Sequence, residues 1–444
     1  MKEKRKIYIE TYGCQMNFSD SEIVASIMQE HGYETVNEIG HADIIFVNTC
    51  SIRDNAELRI RHRLEHFRAM KKKKPGLLIG LLGCMAERLK TDLLEEEKVL
   101  DIIAGPDSYR DLPNLVSQAG THQKGVNILL STDETYADIT PVRIDSNGVS
   151  AFISIMRGCE NYCAYCVVPF TRGVERSRDP ESILAEAGDL FSRGFREVTL
   201  LGQNVNSYQW ESGGMKLDFS DLLGKVAQTD PLLRIRFATS HPKDLKDKLL
   251  HTIAKYTNIC RSIHLPVQSG SNRILDGMNR KYTMEEYLNR VEAIRKIIPG
   301  CAISTDIITG FCGETDEDHK ETLSLMEKAG FDYAYMFKYS ERPQTLAAEN
   351  YSDDVPDEVK ERRLKEVIQM QQKLSYRSNK DDLGKVVEVL IEGCSKRSKD
   401  HLSGRNSQNK VVVFPKTVQS PGEYVRVKIT RFTSATLIGE VVQE

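Results

Sequence analysis

The sequence predicts a multidomain α/β protein in three parts, and three observations lead to this prediction. The chain has 444 residues, which is more than one hydrophobic core usually supports. Short apolar runs alternate with amphipathic stretches over residues 1–104, and the alternation restarts over residues 151–340. From residue 381 the pattern changes to short β-branched runs separated by Gly, Asn and Ser. We therefore expect two strand–helix domains followed by a small all-β module.

The first part, residues 1–120, is predicted to be a doubly wound parallel sheet. Near-continuous apolar strands that alternate with helices are typical of such a sheet. Strands are expected at residues 6–11, 43–49, 77–83 and 101–104. Helices are expected at residues 19–31, 53–72 and 85–97. Ser19 and Glu22 have the spacing of a capping box, which would start the first helix.

Residues 121–148 are polar and rich in turn-forming residues, and we interpret them as a linker between domains. The second part, residues 149–379, is predicted to be a partial (β/α)6 barrel of the TIM type, because six strands alternate with helices. These strands are expected at residues 151–157, 197–203, 232–239, 262–268, 302–309 and 332–339. Helix starts are marked by Asp179 before Pro180 and by a capping box of Thr283 and Glu286.

The third part, residues 380–444, is predicted to be a small antiparallel β-barrel. Residues 393–431 contain nine Lys and Arg against two acids, a local charge of +7 in a chain whose net charge is −3. A basic module on an otherwise acidic chain indicates a polyanionic partner, although a solvated surface is the simpler alternative. The candidate RNA-binding residues are Lys396, Arg397, Arg405 and Lys410.

Composition restricts the class of protein. Apolar residues make up 40% of the chain and charged residues 28%, which predicts a folded protein rather than a disordered one. No run approaches the roughly 20 apolar residues of a membrane span, and the N-terminus has no export signal. We therefore expect a cytoplasmic location, in which ten cysteines would serve metal binding, catalysis or packing rather than disulfides.

The most informative motif is Cys159-x3-Cys163-x2-Cys166, which directly follows the first predicted barrel strand. Three thiolates do not complete a four-thiolate zinc site, but they can hold three irons of a [4Fe–4S] cluster and leave the fourth iron open. An open iron can bind the amine and carboxylate of S-adenosylmethionine. This spacing is the radical S-adenosylmethionine signature, and a structural zinc site is the alternative.

Further strand ends of the barrel carry glycines, amides and carboxylates suited to the methionyl and ribose groups of S-adenosylmethionine. The candidate cofactor-binding residues are Gly202, Gln203, Ser240, Gln268, Asp306 and Glu314. In the first domain, Cys14, Cys50 and Cys84 each lie at or just beyond a predicted strand end. Because ligands of parallel sheets bind at that edge, we expect these thiols to meet there. The alternative is that they are structural thiols.

Several segments together resemble the radical S-adenosylmethionine methylthiotransferase family. TYGCQMN, FVNTCSIR and GLLGCMAER are similar to its N-terminal domain, and RGCENYCAYCVVPFTRGVERSR is similar to its radical loop. LLGQNVNSY, TSHPKD and HLPVQSGS resemble the tRNA-acting branch of MiaB-type 2-methylthio-N6-isopentenyladenosine synthases. IEGCSKRS and GRNSQNKVVVFP resemble its C-terminal TRAM domain. The resemblance covers almost the whole chain.

This resemblance implies two [4Fe–4S] clusters, one on Cys159, Cys163 and Cys166 and an auxiliary one on Cys14, Cys50 and Cys84. It implies that one S-adenosylmethionine methylates a sulfur carried on the auxiliary cluster. A second S-adenosylmethionine yields a 5′-deoxyadenosyl radical, and the methylthio group is delivered to C2 of N6-isopentenyladenosine next to the anticodon. No catalytic residue is expected beyond the cluster ligands.

The expected partners are a tRNA anticodon stem-loop with N6-isopentenyladenosine, an electron donor such as flavodoxin or ferredoxin, and iron–sulfur carrier proteins, with no membrane. The chain departs from the family pattern at Cys312, Gln344 and Asn406. Alternatives are sister enzymes that modify threonylcarbamoyl-adenosine of tRNA or an aspartate of a ribosomal protein. A non-catalytic iron–sulfur sensor that binds RNA and a zinc-stabilised RNA-binding module are further alternatives.

Overall fold

The computed structural model describes residues 4–50, 54–89, 97–144, 147–416 and 418–442. The chain forms two compact units. The first unit consists of Met1–Asp145, Met156–Tyr162 and Cys166–Arg178. The second unit consists of Ser146–Ile155, Cys163–Tyr165 and Asp179–Glu444. Within the described ranges, every helix is too short or too polar to cross a membrane.

The first unit contains a six-stranded parallel sheet with the strand order β2-β1-β3-β4-β5-β6. Its strands are β1 (Lys6–Thr11), β2 (Glu34–Thr35), β3 (Ile44–Thr49), β4 (Leu78–Gly83), β5 (Ile102–Ala104) and β6 (Gly125–Asn127). Its helices are α1 (Gln15–Glu30), α2 (Asp54–Lys73), α3 (Cys84–Leu89) and α4 (Leu112–Gly120). The doubly wound parallel sheet predicted from the sequence is confirmed.

The central strand β3 shows why the sheet is covered on both faces. All six of its residues are buried. Ile44 and Phe46 pack in one apolar cluster with residues of α1 and α4, whereas Ile45 and Val47 pack in a second cluster with residues of α2. Because side chains alternate along a strand, a run that is apolar at every position needs a helix layer on each face.

Helix α1 begins earlier than the sequence predicted. The capping box of Ser19 and Glu22 is wrong, because the helix starts at Gln15 and both residues are buried within it. The first turn is instead closed by the carbonyl of Cys14, which accepts the backbone N–H of Asn17 at 3.0 Å. Glu22 pairs with Arg143 at 2.6 Å, so a tertiary contact replaces the expected local one.

The segment interpreted as a linker and two predicted helices differ in extent from their predictions. Within the segment interpreted as a linker, residues 125–127 form β6, and Tyr136 and Ile139 belong to the apolar core. This segment therefore completes the sheet as well as leading out of it. Of the helix expected over residues 85–97, α3 is the part that is seen, and residues 90–96 lie outside the described residues. Residue 53, the expected start of the second helix, also lies outside them.

The chain then leaves and re-enters the first unit. Strand β7 (Ser150–Ser154) belongs to the second unit, after which β8 (Met156–Arg157) and β9 (Arg176–Ser177) pair antiparallel in the first unit. The short helix α5 (Val168–Arg172) lies between β8 and β9 along the chain. The predicted first barrel strand is thus divided between β7 and β8.

The second unit contains a partial barrel of two parallel three-stranded sheets, ordered β13-β10-β7 and β14-β15-β16. Its further strands are β10 (Glu197–Leu201), β11 (Gln209–Ser212), β12 (Met215–Asp218), β13 (Arg234–Ala238), β14 (Ser262–His264), β15 (Ala302–Thr309) and β16 (Tyr333–Lys338). A parallel bridge pairs Ile235 of β13 with Ile259, in the segment that leads into β14. The predicted six-stranded barrel is confirmed, and the antiparallel hairpin β11–β12 is an addition that the sequence did not predict.

Helices alternate with these strands as expected. They are α6 (Pro180–Ser192), α7 (Phe219–Ala227), α8 (Asp247–Lys255), α9 (Asn272–Gly277), α10 (Met284–Ile297), α11 (Asp316–Ala329), α12 (Leu346–Asn350) and α13 (Asp357–Lys380). Both predicted helix starts are confirmed. The Asp179 side chain accepts the N–H of Ser182, and Thr283 and Glu286 form a capping box.

The C-terminal region forms a closed five-stranded barrel with the order β17-β18-β19-β21-β20. Its strands are β17 (Val386–Ser395), β18 (Ser398–Asn406), β19 (Val411–Pro415), β20 (Tyr424–Phe432) and β21 (Leu437–Val441). The expected barrel is confirmed, although β19 and β21 pair in parallel. The polar strand β18 was not predicted, because its strand character comes from pairing with β17 and β19 rather than from apolar residues.

This small barrel packs against the N-terminal ends of the strands in the same unit. Arg234 and Arg236, at the start of β13, donate to the carbonyls of Arg405 and Asn406 at 2.6 and 2.9 Å. Asn406, one departure from the family pattern, is buried and accepts the N–H of Lys410 at 2.9 Å. At another departure, Gln344 adopts φ 68°, a left-handed conformation that glycine adopts more easily.

Candidate metal and cofactor sites

The first cysteine set lies at the carboxyl edge of three adjacent strands. Cys14 precedes α1, Cys50 directly follows β3, and Cys84 directly follows β4. The register aligns Thr11 with Asn48 and Thr49 with Gly83, so the ends of β1, β3 and β4 are level. The backbone therefore brings together three thiols that are far apart in sequence, as the strand pattern predicted.

Close packing at Gly13 brings the first two thiols together. A Cβ atom placed on Gly13 would lie 2.4 Å from Cys50 Cβ, and Gly13 has φ 127°. Only glycine fits this position without displacing Cys50. The hydrogen bond with the Cys50 thiol lowers the pKa of Cys14 to about 6, assisted by the charge of Arg172 and by the N–H groups of Asn17 and Met16. A thiolate is the form that binds metals.

We expect Gly13→Ala to remove most of the iron bound by this cysteine set, because the added methyl group would displace Cys50 and the backbone would be strained by about 1–3 kcal/mol. The measurement is iron and acid-labile sulfide content after anaerobic reconstitution, in a chain whose Cys159, Cys163 and Cys166 are alanine. Gly40→Ala is the matched control, because a Cβ atom there meets nothing within 4 Å. Equal iron content in the two variants would contradict the close approach of Cys14 and Cys50.

Two buried asparagines fix the loops that carry these thiols. Asn48 donates to the carbonyl of Asn17 at 2.9 Å and to Ser21 Oγ at 3.0 Å, and its Oδ1 accepts from Asn17 Nδ2 at 3.1 Å. Asn17 Oδ1 in turn lies 3.1 Å from Cys14 Sγ. This network ties the start of α1 to the end of β3. It therefore holds Cys14 and Cys50 in register.

Cys84 has a different environment from the other two thiols. Burial raises the pKa of its thiol, and the nearby Arg172 guanidinium opposes this shift. Arg172 Nε lies 3.2 Å from Cys84 Sγ, and Arg172 Nη2 donates to Asp20 at 2.8 Å. Asp20 also pairs with Arg157 at 2.8 Å. The sequence analysis did not single out these three charged residues, although Arg157 and Arg172 lie within the segment RGCENYCAYCVVPFTRGVERSR.

Two residues of the C-x3-C-x2-C loop make hydrogen bonds within their own unit. In the first unit, the Cys159 N–H donates to the carbonyl of Gly173 at 3.1 Å. In the second unit, Cys163 is buried and lies 3.2 Å from Arg280 Nη1. Among the described residues, no three His, Cys, Asp or Glu side chains are arranged to hold a single metal ion. A [4Fe–4S] cluster does not need such an arrangement, because each of its cysteine ligands binds a different iron.

The carboxyl ends of the barrel strands carry buried polar atoms that have no hydrogen-bond partner in the described part of the chain. They are Gln203 Oε1, Asn206 Oδ1 and Nδ2, Ser240 Oγ, His241 Nε2 and Gln268 Oε1. Such atoms are costly unless a ligand or water pairs with them. They lie beyond β10, β13 and β14, and they fit a polar ligand with both donors and acceptors. Three of the predicted cofactor residues are among them.

The remaining predicted cofactor residues, Gly202, Asp306 and Glu314, already have partners within the protein. Gly202 is buried, and its N–H donates to the carbonyl of Ala238 at 3.2 Å. Asp306, on β15, faces His264 at 3.5 Å. The Glu314 carboxylate accepts the N–H of Gly310 and the Arg363 guanidinium, both at 2.9 Å. Glu314 therefore supports the loop after β15, and its contact with a cofactor stays a prediction.

Asn206 and His241 are candidate residues beyond those in the predicted set. Burial lowers the pKa of His241 to about 2, assisted by the charges of Arg280 and Lys243. The ring is therefore neutral, and its Nε2 atom can form one hydrogen bond with a ligand. Gln268 has φ 74°, and strained residues of this kind cluster at functional sites. Both residues lie in segments noted in the sequence, Asn206 in LLGQNVNSY and His241, directly after Ser240, in TSHPKD.

The four predicted RNA-binding residues divide into two pairs. Lys396 and Arg397 are exposed in the turn between β17 and β18. Lys410 is held by Asp382 at 2.7 Å and by the Ser378 carbonyl at 3.1 Å. Arg405 is half-exposed and pairs with Glu392 at 3.2 Å. Within the described ranges, Lys396 and Arg397 form no ion pair, whereas Arg405 and Lys410 each pair with an acid.

Three families match the chain in succession. The Radical SAM superfamily matches residues 153–326, the family described as Uncharacterized protein family UPF0004 matches residues 6–105, and the TRAM domain matches residues 380–442. These matches correspond to the barrel, the parallel sheet and the small closed barrel. The chain is an enzyme of the radical S-adenosylmethionine class.

Full-length relatives identify the family within this class to which the chain belongs. A tRNA-2-methylthio-N(6)-dimethylallyladenosine synthase of Amoebophilus asiaticus is 57% identical over 449 residues, covering 98% of this chain and 92% of the relative. Synthases of the same name from Parabacteroides distasonis and Flavobacterium johnsoniae are 57% and 54% identical and cover at least 99% of this chain and at least 94% of each relative. The chain belongs to the family of tRNA-2-methylthio-N(6)-dimethylallyladenosine synthases.

Solved structures support the fold alone. The radical S-adenosylmethionine methyltransferase TsrM from Kitasatospora setae, with cobalamin and a [4Fe–4S] cluster bound, has a TM-score of 0.58 at 13% identity. That comparison covers 78% of this chain and 74% of TsrM. The cobalamin-dependent radical enzyme OxsB has a TM-score of 0.54 at 14% identity and covers 83% of this chain and 56% of OxsB.

Proposed function

We propose that this enzyme transfers a methylthio group to C2 of N6-isopentenyladenosine next to the anticodon of tRNA. The observation that carries the proposal is the second cysteine set, Cys14, Cys50 and Cys84, at the edge of the N-terminal sheet. Radical cleavage of S-adenosylmethionine needs one open cluster, so a second thiol set indicates a further task. Sulfur insertion is such a task, and the names of the full-length relatives agree with it.

The two cysteine sets would hold two [4Fe–4S] clusters. Cys159, Cys163 and Cys166 would hold the first cluster, and Cys14, Cys50 and Cys84 the auxiliary one. When bound, these clusters and two S-adenosylmethionine molecules would supply a 5′-deoxyadenosyl radical and a methylated sulfur. The donor sets fit, since each offers three thiols and leaves one iron open.

The barrel residues would bind and orient S-adenosylmethionine. Gln203, Ser240 and Gln268 supply buried polar atoms without protein partners, to which Asn206 and His241 are added. Gly202 allows close approach of a ligand to the backbone, and Asp306 supplies a carboxylate at the carboxyl half of β15. These side chains would fix the cofactor while the surrounding apolar strands exclude water.

The exposed turn between β17 and β18 would contact the phosphate backbone of tRNA. We expect replacement by Gln of Lys396 and Arg397 in this turn and of Lys399, exposed at the start of β18, to weaken tRNA binding. The same change should flatten the salt dependence of binding by about 0.7 in log–log slope for each lost phosphate contact. The measurement is affinity for an anticodon stem-loop at several salt concentrations.

The matched control replaces three exposed lysines on α10 and α11, Lys296, Lys320 and Lys328, by Gln. It removes the same charge from another surface. If both triple variants lose affinity and salt dependence equally, the effect is one of net charge and the turn is not an RNA contact.

The proposed reaction is tested by anaerobic turnover of the reconstituted enzyme with dithionite and S-adenosylmethionine. Three substrates are compared: an isopentenylated anticodon-loop RNA, a threonylcarbamoylated one, and the ribosomal protein modified by the sister branch. Mass spectrometry of digested products should show a 2-methylthio nucleoside from the isopentenylated RNA alone. A methylthio product from another substrate would assign the enzyme to the sister branch that modifies that substrate. Absence of 5′-deoxyadenosine with every substrate, despite intact clusters, would favour the non-catalytic sensor.

In the cell, an electron donor such as flavodoxin or ferredoxin would reduce the clusters, and iron–sulfur carrier proteins would load them. These partners and the cytoplasmic location stay predictions.

A further inference from the structure

Each cysteine set contains one thiol that accepts a hydrogen bond from a buried arginine. Arg172 Nε lies 3.2 Å from Cys84 Sγ in the first unit. Arg280 Nη1 lies 3.2 Å from Cys163 Sγ in the second unit. Both arginines are at most 4% exposed. The same contact thus occurs at both sets, although the two arginines come from unrelated segments of the chain.

Arg280 is a buried cation among neutral oxygen atoms. In the described part of the chain, Nε donates to Tyr282 Oη at 2.9 Å and Nη2 to the Pro266 carbonyl at 2.7 Å, while Nη1 also lies 3.3 Å from Tyr165 Oη. None of these groups is a carboxylate. Burying a guanidinium without a counter-charge is strongly unfavourable. The Cys163 sulfur is the other group in contact with Arg280, and as a ligand of a bound cluster it would supply the missing negative charge.

The backbone around Arg280 is held in an unusual conformation. Asn279 and Lys281, on either side of it, have φ 54° and 59°. This left-handed region is unfavourable for lysine, and such conformations persist only where the surrounding structure fixes them. The Arg280 N–H donates to the Leu275 carbonyl at 2.9 Å, at the end of α9. The fold therefore tolerates local strain that keeps this arginine against Cys163.

Arg172 belongs to a network of five residues whose side chains are buried, Asp20, Asp107, Arg157, Arg172 and Arg176. Asp20 accepts from Arg157 and Arg172, both at 2.8 Å, and Asp107 accepts from Arg176 at 3.0 Å. Three arginines face two aspartates, so this network carries a formal excess of one positive charge.

Arg172 is the member of this network that contacts a thiol. Its Nη1 atom is buried and has no hydrogen-bond partner among the described residues. A negatively charged group bound at Cys84 would compensate the excess charge of the network and offer an acceptor for this donor. The network therefore suits an anionic cluster better than it suits a neutral thiol.

We propose that Arg172 and Arg280 are positioning residues, each of which orients one cysteine thiolate and raises the reduction potential of the cluster bound there. The inference rests on the proposed function, since it assumes that both cysteine sets bind clusters. A positive charge and an N–H donor at a ligand sulfur stabilise the reduced, more negative cluster.

The test uses the full-length chain in two backgrounds that isolate one cluster each. Alanine at Cys159, Cys163 and Cys166 leaves the auxiliary cluster, and alanine at Cys14, Cys50 and Cys84 leaves the other. Redox titration followed by electron paramagnetic resonance gives each reduction potential. We expect Arg280→Gln to lower the reduced-to-oxidised ratio of its cluster about tenfold at fixed potential, because a charge-assisted hydrogen bond is lost. For a one-electron couple this equals ~59 mV.

We expect Arg172→Gln to cause a shift of the same direction in the auxiliary cluster alone. Arg157→Gln is its matched control, because Arg157 is equally buried in the network and binds Asp20 but contacts no cysteine sulfur. Lys281→Gln is the control for Arg280, because it removes the adjacent, exposed charge. The Arg→Lys variants keep the charge without the planar fork and should give intermediate shifts. If a Gln variant does not fold, the reduction potential of the corresponding Lys variant is measured instead.

The possible results separate this inference from the proposed function. If either background lacks a [4Fe–4S] signal before any arginine is changed, the cluster assignment fails and this inference fails with it. If both signals are present but potentials do not depend on Arg172 and Arg280, only this inference is overturned. Equal shifts from Arg172→Gln and Arg157→Gln would also overturn it, because they would indicate a general effect of the network.

Discussion

Replacement of Cys159, Cys163 and Cys166 by alanine is expected to reduce 5′-deoxyadenosine formation to background while the chain still binds an iron–sulfur cluster. Without these thiolates no electron can reach the sulfonium of S-adenosylmethionine, so the loss should be complete rather than partial. The retained cluster is expected because Cys14, Cys50 and Cys84 lie on a separate sheet edge with its own hydrogen-bond network. The measurements are 5′-deoxyadenosine by chromatography and iron per chain.

A single change at Cys394, an exposed cysteine of the small barrel, serves as the control for altering a thiol as such. Cys394→Ala should keep both the iron content and the radical cleavage of the parent enzyme. If the triple variant still forms 5′-deoxyadenosine from S-adenosylmethionine, the loop does not hold the cleaving cluster. If it loses all iron, the second cysteine set does not hold a cluster of its own.

Replacement of Cys14, Cys50 and Cys84 by alanine should have the complementary effect. S-adenosylmethionine cleavage should continue, because Cys159, Cys163 and Cys166 and the buried polar atoms at the barrel strand ends are unchanged in this variant. The methylthio product should fall to background, because the site proposed to carry the inserted sulfur is gone. The measurement is the ratio of 2-methylthio nucleoside to 5′-deoxyadenosine in one reaction.

Cys50 and Cys84 are buried at the ends of β3 and β4, so the fold of this variant must be checked by its circular dichroism and thermal transition. A second variant, Cys14→Ser alone, changes only the exposed thiol. It should likewise keep S-adenosylmethionine cleavage and lose the methylthio product. Methylthio product formed at the parental rate by either variant would remove the second cysteine set from the reaction.

Much of the fold could be predicted from local sequence. Strands β3 and β4 are largely apolar runs and β1 alternates apolar with polar residues, so their carboxyl ends and the cysteines beyond them were placed to within a residue. Explicit helix starts at Asp179 and Thr283 were correct for the same reason, since caps depend on neighbours three residues away. The spacing of Cys159, Cys163 and Cys166 likewise needs no tertiary information.

What could not be predicted depends on contacts between distant segments. Arg172 and Asp20 are 152 residues apart, and Arg280 and Cys163 are 117 apart, so no local pattern indicates either pair. Strand β18 is polar and exists because two neighbours pair with it. Lys410 was predicted as an RNA contact from the charge along the chain, which could not show its ion pair with Asp382. The RNA contact of Lys410 stays a prediction.

The most direct test of the central claim is a turnover with isopentenylated anticodon-loop RNA that carries deuterium at C2 of the target adenine. The account predicts a 2-methylthio nucleoside that has lost the label and 5′-deoxyadenosine that has gained it, because the radical removes the hydrogen that sulfur replaces. A methylthio product that retains the deuterium, or that forms while 5′-deoxyadenosine stays unlabelled, would contradict radical methylthiolation at C2.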